Sequence, residues 1–250
     1  MFSIFIKIIN QKYIQMSKKQ FVDNLELAEA GHANGISLQL AQARLANGPE
    51  AALTEEQKQV IIDNAAKAYA DFLTALGVDF ENDPNSNDTP NRVAKAYVND
   101  LWAGRYNAMS KITGFPSDGY DGIVQESHIP VVSMCSHHHQ AIGGSVSIAY
   151  IASKEGKVVG LSKLNRIVEL FGRRGAIQEQ LTVAIHNAVD KICEGNEGVA
   201  VSISATHNCV SCRGVKHQGA SMQTAKLSGF FKTDAAARSE FYTNISLSKN

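Results

Sequence analysis

Two short clusters hold the residue types that bind transition metals: Cys135-Ser136-His137-His138-His139 and His207-Asn208-Cys209-Val210-Ser211-Cys212. Zinc selects thiolates and imidazoles, so a metal site is expected where the fold brings the two clusters together. The spacing supports two arrangements. In one, Cys135, His138, Cys209 and Cys212 close a structural Cys3His site. In the other, Cys135, His138 and Cys209 bind alone and leave the fourth position to a water molecule, whose pKa zinc can lower to about 7. Val199, Val201, Ile203 and Ala205 alternate on one strand face, and continuing that period puts His207 and Cys209 on the same face with Cys212 opposite. That pattern favours the three-ligand site, with His207 within reach as a general acid or base. His137 either orients substrate or fills space, and His139 has the weakest claim to a chemical role.

A second group of residues points to an anion. The run Gly160-Leu161-Ser162-Lys163-Leu164-Asn165-Arg166 opens a helix, with Ser162 the expected cap. Lys163 and Arg166 sit in the first turn, where the helix dipole disfavours cations, an arrangement suited to an anion held between them and the free backbone NH groups. The plainer reading is a solvated basic face paired with Glu169. Arg173, Arg174 and Arg213 add positive charge, and Arg213 follows the second thiol cluster so closely that anion and metal are expected to share one pocket. Glu179 is either a helix-start residue favoured by the dipole or a buried carboxylate accepting hydrogen bonds from the ring NH and amino group of a guanine.

The elements that must position these residues are legible as two regimes. Thr54 with Gln57 resembles a capping box, and Val60, Ile61, Ala65, Ala68, Phe72 and Leu73 fall at helical spacing up to Leu76-Gly77. Asp88-Thr89-Pro90 supplies a cap and a first-turn proline for a second helix through about Trp102. From Ile123 the period changes to two, with strands predicted around 129–135, 145–150, 199–209 and 222–231 and one buried sheet face. Two helices interrupt them, carrying the stripes Leu164, Ile167, Val168, Phe171 and Ile177, Leu181, Ile185, Val189, Ile192. The class is α+β: residues 1–50 form an extension expected to be flexible, 51–115 a helical region, and 116–250 the catalytic domain.

At 250 residues and 44% hydrophobic content the chain can bury one sizeable core. Its 24 basic and 24 acidic side chains cancel, so no bulk charge favours nucleic acid or an anionic membrane, and any anion site is local. The four cysteines read as thiols of a reducing, cytoplasmic setting. The apolar opening, 1–14, is interrupted by Lys7, Asn10, Gln11 and Lys12 and is too short and polar to span a bilayer; it reads either as a membrane-surface helix or, preferred, as a disordered or misassigned start with Met16 as the initiator.

Taken in order, Asp88-Thr89-Pro90 with Arg92-Val93-Ala94-Lys95, the Cys135 to His138 run, Gly160 to Lys163 with Asn165 to Val168, Gln178-Glu179 with Leu181-Thr182, and His207, Cys209 and Arg213-Gly214 resemble the GTP cyclohydrolase I family over roughly Thr54 to Phe241. The resemblance implies the tunnelling fold, in which antiparallel sheets of several subunits close into a barrel with helices outside, as a decamer of two stacked pentamers with active sites between subunits. It implies zinc on Cys135, His138 and Cys209, and His207 as the acid/base histidine. Glu179 would hold guanine, with Gln178 beside it in the substrate site. Lys163, Arg166 and Arg213 would bind the triphosphate, Ser162 would assist the ribose steps, and His137 would be a second active-site histidine. The implied reaction is zinc-dependent hydrolysis and rearrangement of GTP to 7,8-dihydroneopterin triphosphate with release of formate. Ser136, His139, Gly175 and the stretch Ala225-Lys226-Leu227-Ser228 depart from the family's usual residues, and Cys212 is not a usual ligand. The rival readings are another tunnelling-fold enzyme acting on a pterin or deazapurine, and a zinc-stabilised binding module without catalysis.

Overall fold

Thr54 caps the first helix as its sequence predicts: its hydroxyl accepts from the Gln57 backbone NH and the Gln57 side chain answers the Thr54 NH, opening α1 (Glu55–Ala75). The computed structural model describes residues 52–248, so the expectations for the opening 1–50 segment lie outside the described residues. The buried face of α1 is Ile62 and Ala66, which meet Ala94 of α2 (Thr89–Ala96) and Val98. Phe72, expected on that face, is exposed. The stripe is rotated by one position because contact with α2 selects the face. Asp88 makes no capping bond to α2; its carboxylate is taken by Asn91 and Arg92. The helix expected to run to Trp102 widens into a π turn over Tyr97–Leu101, closed by the bond from Trp102 N to Tyr97 O at 2.8 Å, and ends in the short α3 (Ala103–Tyr106).

A small pair, β1 (Gly114–Pro116) with β4 (Lys157–Val159), stands apart from the main sheet. The main sheet has four antiparallel strands, β2 (Ile123–Met134), β3 (Ala141–Ile151), β5 (Gly198–His207) and β6 (Ser221–Leu227), in the order β2-β3-β5-β6. The helices α4 (Leu161–Gly172) and α5 (Gln178–Ile192) cover one face, joining Leu164, Ile167, Phe171, Leu181, Ile185 and Val189 to the inward residues of β2, β3 and β5. This is the period-2 and period-3.6 match the sequence predicts. The opposite face is not left open: Ala149, Ile151 and Ala200 are buried under Phe231 of α7 (Gly229–Thr233) and Phe241 of α8 (Ala235–Leu247).

Two boundaries differ from the sequence pattern. Strand β5 stops at His207, and Cys209 lies in a helical turn, α6 (Asn208–Ser211), so the strand alternation does not extend to it. Strand β6 ends at Leu227 because Gly229, with φ +52°, turns the chain into α7. No helix among the described residues is long and apolar enough to cross a membrane.

Candidate metal and substrate site

Strands β2 and β3 are joined by a tight turn, in which Cys135 N donates to Gln140 O and His139 N donates to Cys135 O, both at 2.9 Å. His139 adopts φ +52° to close it. Cys135, at the base, is buried in the core, whereas His137 and His138 stand exposed at the tip with ring centroids 6.3 Å apart. Strand pairing then sets the second cluster beside the first, because Ile142 of β3 is registered against His207 of β5. Cys209 reaches back from α6 to pack on the core cluster that contains Cys135, near enough for the two thiols to act on each other's ionisation. Burial raises the Cys209 pKa, the neighbouring Cys135 sulfur raises it further, and Arg213 is close enough to pull it down. Two neighbouring thiols beside an imidazole-bearing turn suit a thiophilic cation such as zinc. Among the described residues, however, no three His, Cys, Asp or Glu side chains converge as a formed metal cluster: His138 stands away from the thiol pair. Cys212 is exposed and its nearest polar neighbour is Ser211 Oγ at 3.8 Å.

His207 continues the core face of β5 and is half-buried. Its Nε2 lies 2.7 Å from Oε1 of Gln178. The Gln178 amide nitrogen faces three acceptors, Ile203 O, Met222 O and Thr224 Oγ1, at 3.1–3.2 Å, so the amide can turn only its oxygen to the imidazole. His207 therefore carries its proton on Nε2 and leaves Nδ1 to exchange one. Burial holds the His207 pKa below the ordinary imidazole value, opposed by the nearby Glu179 carboxylate. Glu179 itself is exposed in the first turn of α5. Gln178, expected in the substrate site, is buried between α5, β5 and β6 with its amide nitrogen engaged by protein and its oxygen facing His207. The signal was available: Gln178, Leu181, Thr182 and Ile185 fall on one helical face.

The anion residues lie elsewhere in the chain. Gly160, not Ser162, caps α4: its backbone is extended (φ −65°, ψ 146°) and the helix starts at Leu161, so Ser162 is already the second helical residue and is exposed. Neither Lys163 nor Arg166 forms an ion pair with a described residue; Glu169 pairs with Arg173 at 3.5 Å. Arg166 lines a cavity of about 440 Å³ with Asn107, Glu169 and Arg173. The direction of α4 fixes the separation. Its first half touches the start of β2, where Asn165 Nδ2 donates to Glu126 Oε1 at 2.6 Å, and its end at Gly172 packs on Val132. Glu126 and Cys135 are nine residues apart, one of them taken up by the bulge between Glu126 and Ile129, which leaves roughly 25 Å at about 3.3 Å per residue. One chain therefore places Cys135, Cys209, His207, Glu179 and Arg213 at one end of the sheet and Ser162, Lys163 and Arg166 at the other.

The family model of GTP cyclohydrolase I matches residues 65–246. Among curated proteins, the chain is 38% identical to GTP cyclohydrolase 1 of Tolumonas auensis over 189 residues, which is 75% of this chain and 84% of that protein. It is 39% identical to that of Aeromonas salmonicida over 192 residues, 76% of this chain and 85% of the relative. This chain belongs to the GTP cyclohydrolase I family. A further relative, GTP cyclohydrolase 1 of Shewanella sp. strain ANA-3, is 40% identical over 173 residues, covering 68% and 78% of the two chains. The family match begins inside α1 and ends inside α8, so it spans both ends of the sheet and every candidate site residue.

Proposed function

We infer that this member of the GTP cyclohydrolase I family converts GTP to 7,8-dihydroneopterin triphosphate and formate, an early step of pterin biosynthesis. The observation that carries the reading is the meeting of the Cys135 and Cys209 thiols beside a histidine locked in one tautomer by Gln178. Zinc would be held by Cys135, Cys209 and His138, with the exposed turn moving His138 onto the thiol pair, and when bound it supplies Lewis-acid activation of water for attack on a carbon–nitrogen double bond.

The remaining chemistry belongs to the chain's own residues. Glu179 accepts hydrogen bonds from the ring NH and amino group of guanine and so fixes the purine over the thiol pair. His207, neutral and protonated on Nε2, takes up and delivers a proton through Nδ1 to the purine nitrogen next to C8, and then serves the later ribose steps with Ser162. His137, exposed at the turn tip, would serve as a second active-site histidine. Lys163, Arg166 and Arg213 neutralise the triphosphate.

Because Lys163, Arg166 and Ser162 stand far from the thiols of their own chain, the site is completed by a second copy, one subunit supplying the thiol end and its neighbour the α4 end. The exposed edges of β2 and β6 support closure of several sheets into a barrel, consistent with a decamer of two pentamers. The test is incubation of the purified, zinc-loaded protein with GTP while formate and the fluorescence of the oxidised pterin are followed. Both products from the wild type and neither from Cys209→Ser support the reading. Formate without pterin would indicate an enzyme that stops after ring opening, and neither product would leave a zinc-stabilised binding module.

A further inference from the structure

Besides the core packing of Cys135 at its base, the turn that carries His138 is tied to other described residues through His139. Tyr97 Oη lies 3.1 Å from His139 Nδ1, and the His139 ring stands 5.9 Å from that of Tyr97 and 5.1 Å, edge-on, from that of Trp102. In a regular α-helix, positions five apart point about 140° away from each other. The π turn over Tyr97–Leu101 removes that divergence, so the Tyr97 and Trp102 rings meet at 4.9 Å and face the same turn. Wide turns of this kind recur at functional sites.

Trp102 is fixed on its other side as well. Arg105 lies over its ring at 4.1 Å and donates to the carbonyls of Arg174 and Gly175. Gly175 has φ +65°, and a Cβ there would come within 2.5 Å of Trp102 Nε1. The adjacent Ala176 N donates to Met134 O at 3.1 Å, the last residue of β2. Trp102 thus wedges between the His139 turn and the segment leading into Gln178 and Glu179. His137 and His138 make no hydrogen bond with a described residue, so the turn backbone, the buried Cys135 at its base and this aromatic contact set where His138 stands.

We propose that Tyr97 and Trp102 are positioning residues for the metal turn, acting through His139 to hold His138 ready for the ion bound by Cys135 and Cys209. The proposal rests on the zinc reading of those three residues. His139, the member of the histidine run with the least evident role, is then the anchor of the run. Partners that orient metal ligands typically change affinity 10- to 100-fold when removed.

The experiment compares full-length wild type, Tyr97→Phe, His139→Phe, the double variant and Val98→Ala. Zinc affinity is read by competition with a chelating dye, coordination by the ligand-field spectrum of the cobalt-substituted protein, and folding by thermal melting. Tyr97→Phe is expected to weaken zinc about tenfold and alter the cobalt spectrum with little change in melting temperature, and the double variant to lose no more than either single one. Val98→Ala, in the helical core of α1 and α2, is expected to melt lower while keeping zinc affinity within about twofold. Equal affinity and spectra for wild type and Tyr97→Phe would overturn the proposal, as would an equal loss in Val98→Ala, which would mark a general loosening. A wild type that takes up no zinc would overturn the metal reading itself.

Discussion

His207 depends for its chemistry on two neighbours that pull in different ways. Burial keeps its pKa low while the Glu179 carboxylate favours its charged form. The acid limb of the kcat/KM profile is therefore expected below about 6.5, the free imidazole value. Removing the Glu179 charge with Glu179→Gln should shift the His207 titration, followed by NMR of the ring protons, to still lower pH; an upward shift would contradict the assignment. Gln178→Leu takes away the acceptor that fixes the Nε2 proton and should lower kcat on the order of 10- to 100-fold with little change in KM for GTP, as expected of a residue that acts through another. A change confined to KM would return Gln178 to the substrate site. The thiol, imidazole and carboxylate types were legible from sequence, because side-chain chemistry needs no fold to be read. The partner of each was not: only the packing of α5 across β5 and β6 brings Gln178 under His207.

Among the elements, α5 carries chemistry and structure on one face, with Gln178 at its start and His186 deeper in the core. His186 is buried with Nε2 3.0 Å from Ser228 Oγ, tying α5 to the end of β6. Burial lowers its pKa, with Lys226 adding to the effect. A histidine whose folded pKa lies below its unfolded value binds more protons when unfolded, so its contribution is complete above about 6.5 and is lost as the pH falls below that value. Melting temperature is expected to fall on acidification through this range, and less steeply in His186→Gln; parallel curves would remove His186 from that role. Gly144 marks how closely β3 and β5 approach: an added Cβ would meet Ser204 O at 2.1 Å and the Ala205 backbone at 2.6 Å. Gly144→Ala should cost roughly 1–3 kcal/mol, read by denaturant unfolding, because the pairing that aligns His207 with the turn must shift. Stripes such as Leu164, Ile167, Phe171 and Val199, Val201, Ile203 were readable because burial repeats with the element's own period. The terminations after His207 and Leu227 and the wide turn at Tyr97 were not, since period says nothing about where a strand or helix gives way to a different local geometry.

At the scale of the molecule, the family match spans both ends of the sheet, yet the chain separates the groups its chemistry needs. The basic run at Lys163 and Arg166 was legible as an anion site, and Arg213 as its neighbour at the metal, but the direction in which α4 crosses β2 is set by packing and keeps the two apart in one chain. If a second copy completes the site, as proposed, a monomer keeps Glu179 beside His207 but lacks the Lys163 and Arg166 end of the triphosphate site, so activity should track assembly. The most direct test mixes two inactive variants. Lys163→Ala lacks the phosphate end and Cys209→Ser the metal end; each assembled alone should fail to turn GTP into pterin. Co-assembled after dissociation and reassociation, the pair should regain part of the wild-type rate, because some sites then draw an intact Lys163 from one subunit and an intact Cys209 from another. Mixed assemblies that form but remain inactive would contradict a site built from two copies.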